Sequence, residues 1–598
     1  MRLLFILSML ILSFSCQAVD QAATDLKVHG IFRSNMVIQR NKAIKIWGWA
    51  PKGSEVKVQF GNLKAADKAD GDGGLWEVTF EAQKADIKGR TLTVACGDKS
   101  IKMTEILIGD VWVMNGQSNM AFSLKAVYQN HFEASMANLP LLRQIRINSG
   151  AESEHEEKDI KDNFINGSSE DKNWVVATPE TVLEMSAIGY IFGSRLQRSL
   201  QIPIGIIDNA RGGASLESLV PRHQFANDPQ TAEYLKWVDK RNNEFSEKDF
   251  LQAQMDKYNA SFAKYQKQLA DDKKKGVKRN RRAPRKPNGS IRTWSVPGRS
   301  PSDAASCYNG MFGFFKGLNI KGVAFHQGFN NSMMNTSCKP VFYRKLMKLM
   351  IEGWREDFND PSLPVAIIGF CAGGKAQTAA NFEEMGFSTA ALIREAQRLG
   401  LADVKNQENT VYIANYDQQI PQLHTKKKKE LGIRTARWAL NNIYGNENIV
   451  WDTAKLVSAE SKEGKMLLTF DKAVRPDNFS DVIEGFSLAG KDGIYYMASA
   501  VAVKTKDKKQ ANKQILVSSP MLTDPQTVRY AWARSPLGNL KVNGIPWQPL
   551  PCFRTDKLEY KAEVSHMDPD GGKKCGDQVK IYKQQATDAL KKRLEAGK

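Results

Sequence analysis

Cysteine and histidine are scarce in this chain, seven of each in 598 residues. Cys16 lies in an apolar leader. The other six are Cys96, Cys307, Cys338, Cys371, Cys552 and Cys575, and none sits in a Cys-x-x-Cys or Cys/His cluster. That pattern argues against a zinc site, and no metal or cofactor is expected. Cys307 with Cys338 and Cys552 with Cys575 are sequence neighbours that could pair in an exported protein, but spacing fixes no connectivity. After the leader no run is long and apolar enough to cross a bilayer. No internal repeat is present, and no nucleic-acid-binding signature accompanies the basic residues, so nucleic acid is not an expected partner.

The remaining composition is that of a globular protein, 42% apolar and 25% charged. The length suggests about three or four domains. The net charge of +20 is concentrated, because residues 273–286 alone carry nine basic side chains. Such a block reads first as a solvated loop. The alternative is a patch for an acidic polysaccharide. Arg2 and the apolar residues 3–14 read as a signal peptide spanning 1–18. Residues 13–16, Ser-Phe-Ser-Cys, also look like a bacterial lipoprotein box with Cys16 as the lipid anchor. Either route predicts export to the periplasm, the outer membrane or the medium.

Residues 28–105 alternate with period two between Gly/Asp clusters and predict an N-terminal β-domain. From 106 to 445, apolar strands at 106–114, 202–208, 323–326, 365–370 and 411–414 alternate with helical stretches such as 187–200 and 342–355. That alternation predicts an α/β fold with a parallel sheet covered on both faces. Residues 225–300 form an insertion, helix-rich at 232–269 and basic thereafter. Strand patterns return at 447–555 as a C-terminal β-domain, and the lysine-rich tail from 556 predicts a solvated terminus with a helix near 579–595.

The run Gly109-Asp-Val-Trp-Val-Met-Asn-Gly-Gln-Ser118-Asn-Met120 is the most informative segment. It reads as a strand ending in a small polar turn. A serine there stands at a strand's carboxyl end, where open α/β sheets bind ligands. The plain alternative is a helix-capping serine.

Gly116-Gln-Ser-Asn-Met120 resembles the nucleophile block of the sialate O-acetylesterase family of SGNH hydrolases. The resemblance extends to Asn35-Met-Val-Ile-Gln-Arg40, Trp47-Gly48 and Gly74-Leu-Trp76 in the N-terminal β-domain. It continues with Ala210-Arg-Gly-Gly-Ala214 and Glu217, with Tyr308-Asn-Gly-Met311, Gln327-Gly328 and Asn331, and with Arg394-Glu-Ala-Gln397 and His424. It covers residues 28–555. It implies an SGNH-hydrolase-like parallel sheet flanked by helices, with β-sandwich-like domains at both ends.

By this resemblance Ser118 is the nucleophile and His424 the base. The oxyanion hole would use the Ser118 backbone N–H, Gly212 or Gly213, and the Asn331 amide. Losing one such donor typically costs about 3 kcal/mol. The chain departs from the family twice. The positions before the histidine, where an acid is usual, hold Pro421 and Gln422. Gln422 could still fix the imidazole tautomer, and Asp417 is the candidate substitute. In the third block, Phe329 replaces a glutamate and His326 a tyrosine. The expected function is an exported carbohydrate O-acetylesterase acting on sialic acid or another acetylated glycan. The alternative is an impaired homologue that binds glycans or partners.

Overall fold

The computed structural model describes residues 23–597 except 148–149, 166–171, 278, 292–294, 333–338, 372, 419, 478–480, 508, 543–544 and 558–570. The leader with Cys16, Cys338 and the Cys575 side chain lie outside this set, as do the pairings expected of Cys338 and Cys575.

A strand of 19 residues, β1 (Lys99–Gln117), runs through the molecule. Its first half pairs antiparallel with Asp86–Cys96 of the N-terminal β-domain. Its second half is the middle of a parallel sheet. That sheet also contains β2 (Leu139–Arg146), β3 (Val175–Ala177), β4 (Ile204–Arg211), β5 (Gly322–His326), β6 (Val365–Ile368) and β7 (Thr410–Ile413). The order is β3-β2-β4-β1-β5-β6-β7, all parallel except the antiparallel edge strand β3. The expected domain boundary at 105/106 falls inside β1, because one continuous backbone serves both sheets.

Alternation along the strands separates two cores, as the period-two geometry requires. Val111 and Val113 of β1 join the core that includes the N-terminal β-domain. Trp112 and Met114 point to the opposite face. There they meet Ile188 and Ile191 of α2 (Ala187–Leu200) and Leu431 and Trp438 of α6 (Lys429–Trp438). The first face is covered by α4 (Pro340–Asp357) and α5 (Thr389–Ala402). The short helix α1 (Ser118–Ala121) follows β1 directly.

Residues of the insertion form Pro229–Asn243 and α3 (Glu247–Lys274), which buries none of its 28 residues. After 447, a seven-stranded and a three-stranded sheet share one core, with Leu468 and Phe486 of the first against Val474 and Leu540 of the second. The tail differs from expectation. Helix α7 (Gly571–Ala596) docks on the body. Tyr582 stacks on Phe387 with ring centroids 4.7 Å apart. Arg593 pairs at 2.7 Å with Glu383, and Val579 and Ala589 are buried. Three apolar contacts and an ion pair outweigh the polarity that suggested a solvated end. Among the described residues no helix is long and apolar enough to cross a membrane.

Candidate active site

Sheet order places the turn after β1 at the switch point, where the chain departs to β2 on one side and later to β5 on the other. Open α/β sheets place ligands at that crevice. The backbone there is tight. Gly116 has φ +133°, and a Cβ on it would fall 2.3 Å from the His326 carbonyl oxygen. Only glycine lets β1 and β5 close at this point. Gln117 then ties the turn to the third sequence block, its Oε1 accepting from the N–H groups of Gly328 at 3.1 Å and Asn330 at 3.3 Å.

Ser118 is the first residue of α1. The His424 loop lies between β7 and α6 and crosses to it over a gap of 306 residues, leaving Nε2 2.9 Å from the Ser118 Oγ. Gly373 permits the approach, since a Cβ there would sit 1.8 Å from the Gln422 carbonyl oxygen. The imidazole stacks on Phe122 with centroids 5.6 Å apart and 20° between planes. Burial, and then the Lys428 charge, hold its pKa below the ordinary histidine value. A neutral ring can accept the Ser118 proton.

Gly212 continues β4 beside the serine, in register with the Arg211–Gln117 pair, and a Cβ on it would lie 3.7 Å from the Ser118 Cβ. The Ala214 N–H donates to the Arg211 carbonyl at 3.1 Å, closing a turn whose third residue, Gly213, has φ +80°. A type II turn demands glycine there. Ser118, Gly212 and His424 are thus brought together.

Two expected residues are placed elsewhere. The Asp417 carboxylate does not reach the imidazole. It accepts from Arg434 at 2.8 and 2.6 Å and from Lys541 at 2.7 Å. Burial alone would raise its pKa, but those two cations pull it far below the usual carboxylate range. Asp417 is therefore the anion of a buried ion-pair cluster that joins α6 to the C-terminal β-domain. Asn331 is also committed: Nδ2 donates to Glu217 at 2.9 Å, and Oδ1 accepts from Gln327 at 2.7 Å and from the Leu216 N–H at 3.0 Å. The network continues from Gln327 Oε1 to the Tyr343 hydroxyl at 2.9 Å, and from the Gln397 amide to the Gln327 carbonyl at 2.7 Å. These family-block residues form a buried scaffold behind the turn. Gln422 is exposed, and among the described residues no carboxylate pairs with His424.

Sequence reasoning missed Asn119, Phe122 and Lys428. Asn119 Nδ2 donates to the Leu423 carbonyl at 3.4 Å, and its Oδ1 accepts from Lys428 Nζ at 2.5 Å. Lys428 is fully buried and lies over the Phe122 ring at 5.5 Å. It sits in a run of four lysines, 426–429, that reads as a solvated face, so no sequence signal distinguishes it.

No family model matches the chain. A sialate O-acetylesterase of Rattus norvegicus is 22% identical over 530 residues, covering 84% of this chain and 88% of that protein. The Homo sapiens sialate O-acetylesterase is 24% identical over 366 residues, covering 58% of this chain and 57% of its own length. Among solved structures, a carbohydrate acetylesterase from Xanthomonas citri superposes with TM-score 0.66 at 23% identity, over 89% of this chain and 100% of that one. Sheet order and the serine–histidine pair at its carboxyl edge define the class, an α/β protein of serine-hydrolase build. Within that class the chain is similar in sequence to sialate O-acetylesterases.

Proposed function

We propose that the chain is an exported carbohydrate O-acetylesterase that works through an acetyl-Ser118 intermediate. The observation that carries this reading is the 2.9 Å contact between Ser118 Oγ and His424 Nε2, beside the backbone of Gly212. Ser118 Oγ attacks the acetyl carbonyl while His424 Nε2 takes its proton. The carbonyl oxygen becomes an oxyanion beside the Ser118 and Gly212–Gly213 N–H groups. As the C–O bond to the sugar breaks, His424 returns the proton to the departing alcohol. Water then attacks the acetyl-serine, His424 accepts its proton, acetate leaves, and Ser118 is reprotonated.

The named relatives support an O-acetylated sugar as substrate, with sialic acid or another acetylated glycan as the acyl carrier. The basic segment after α3 suits an acidic polysaccharide, which would concentrate substrate by charge alone. The contact also favours an active enzyme over an impaired binding protein, because a pure binder has no use for an aligned serine and imidazole. The test is p-nitrophenyl acetate hydrolysis together with acetate release from O-acetylated glycans. Ser118→Ala is expected to lose at least about 10³-fold in kcat, as when a hydrolase nucleophile is removed. Mass spectrometry of a quenched reaction should find a 42-Da acetyl on the Ser118 peptide, a mass that follows from acetyl replacing hydrogen. Equal turnover by wild type and Ser118→Ala would end the proposal.

A further inference from the structure

We propose that Lys428 is a positioning residue that, through Asn119, clamps the serine turn to the histidine loop and takes over the orienting task of the missing acid. The inference rests on Ser118 and His424 being nucleophile and base. Its geometry is independent of that reading. Asn119 follows the serine directly and Leu423 precedes the histidine directly. The Asn119 side chain bonds to the Leu423 carbonyl with one end and to the Lys428 ammonium with the other, at 3.4 and 2.5 Å. The Phe122 ring is shared: His424 stacks on it and Lys428 lies over it. The two residues flanking the reacting pair are thus bonded to each other, with Lys428 holding the Asn119 end, while the only negative charge on the loop, Asp417, is spent on Arg434 and Lys541.

A solvated lysine could not do this, because its rotamers would not hold a fixed register. Lys428 is wholly buried, and no carboxylate pairs with it among the described residues. The titratable groups that face it are His424 on its own loop, His326 at the end of β5 and Cys371 after β6. Burial brings its own pKa to about 7, with Cys371 the one group raising it. Burial and then Lys428 push His326 to about 3, so that ring is neutral at working pH. A cation at this point opposes the imidazolium that forms during acyl transfer. Its contribution is therefore geometric rather than electrostatic, and the two effects separate in experiment.

The test uses the full chain with p-nitrophenyl acetate and the variants Lys428→Met, Asn119→Ala, their combination, and Ser118→Ala. Each clamp variant is expected to lower kcat roughly tenfold with KM within about twofold, since misplacing a catalytic group acts on turnover. The double variant should lose no more than the worse single one, because both residues act through one link. In Lys428→Met the acid limb of kcat/KM should move to higher pH, as the imidazolium is no longer opposed. A folded Asn119→Ala or Lys428→Met with wild-type kcat overturns the clamp, as do losses that multiply or a Lys428→Met loss confined to the pH range of the shifted limb. If Lys428→Met does not fold, Asn119→Ala decides alone. Ser118→Ala keeps the two readings apart: if it is inactive while the clamp variants match wild type, only the clamp fails, and if it is active, the nucleophile assignment fails.

Discussion

The residues with the clearest electrostatic environments are His424 and Asp417, and they predict different things. The imidazole pKa is depressed by burial and by Lys428. The base is therefore neutral down to lower pH than a free histidine, and the acid limb of kcat/KM is expected below about pH 6.5, the unperturbed value. A pH–rate profile with its acid limb clearly above that value would contradict the environment described. Asp417 has a depressed pKa, so its stabilisation is fully present above the unfolded value of about 3.9 and is lost as pH falls through the folded one. Asp417→Asn takes the anion from Arg434 and the nearer of two from Lys541, whose other partner is Asp477 at 3.5 Å, at side-chain exposures of 2% and 4%. Breaking such a cluster typically costs about 3–5 kcal/mol. Denaturant titration should show that loss, while the folded fraction keeps near-wild-type kcat. A large fall in kcat without a fall in stability would return Asp417 to the catalytic set.

At the scale of elements, what the sequence made legible follows from how local the signal was. Helix α2 was expected at 187–200 and is Ala187–Leu200, because its apolar spacing and Ser186 cap are contiguous in the chain. Strands β5 and β6 were likewise readable from short apolar runs. The serine turn was legible because glycine is needed at Gly116 for backbone reasons that leave a motif. Asp417 misled, since its partners lie 17 and 124 residues away and nothing nearby announces them. Asn331 misled because an amide that donates to Glu217 and one that donates to an oxyanion look identical in sequence. Lys428 was hidden in a lysine run, and its burial arises only when the turn before α6 meets Asn119 and Phe122. The tight closure at Gly116 gives a direct prediction. Gly116→Ala combines a disfavoured φ with a backbone clash, each a source of strain of about 1–3 kcal/mol. Its melting temperature should fall, and labelling of Ser118 by a fluorophosphonate should slow in the folded protein. An unchanged melting temperature would show that β1 and β5 can separate at no cost.

Across the whole molecule, the C-terminal helix is the least expected feature, because among its described residues few beyond Val579, Tyr582, Ala589, Leu590 and Arg593 commit it to the body. Glu383 is 1% exposed beside Arg593. Arg593→Ala should therefore destabilise by about 3 kcal/mol, the usual loss when one partner of a buried pair is removed. Activity should survive, since the contact joins α7 to the segment before α5 and not to the serine turn. Parallel denaturation and p-nitrophenyl acetate assays would check both halves; unaltered unfolding would mean that α7 rides on the surface without holding it. The long exposed helix α3 has the opposite character, with 28 residues and none buried.

Because β1 runs from Lys99 to Gln117 as one strand, bulged at Glu105, the N-terminal module and the reactive serine share a single ruler. Side chains alternate faces along its last stretch, so a one-residue slip of that stretch against its parallel neighbours would exchange the faces of Val111–Met114 and displace the serine that follows. The pairing of 86–96 with 99–108, which ends 10 residues before the serine, thus helps set where the reactive hydroxyl comes to rest.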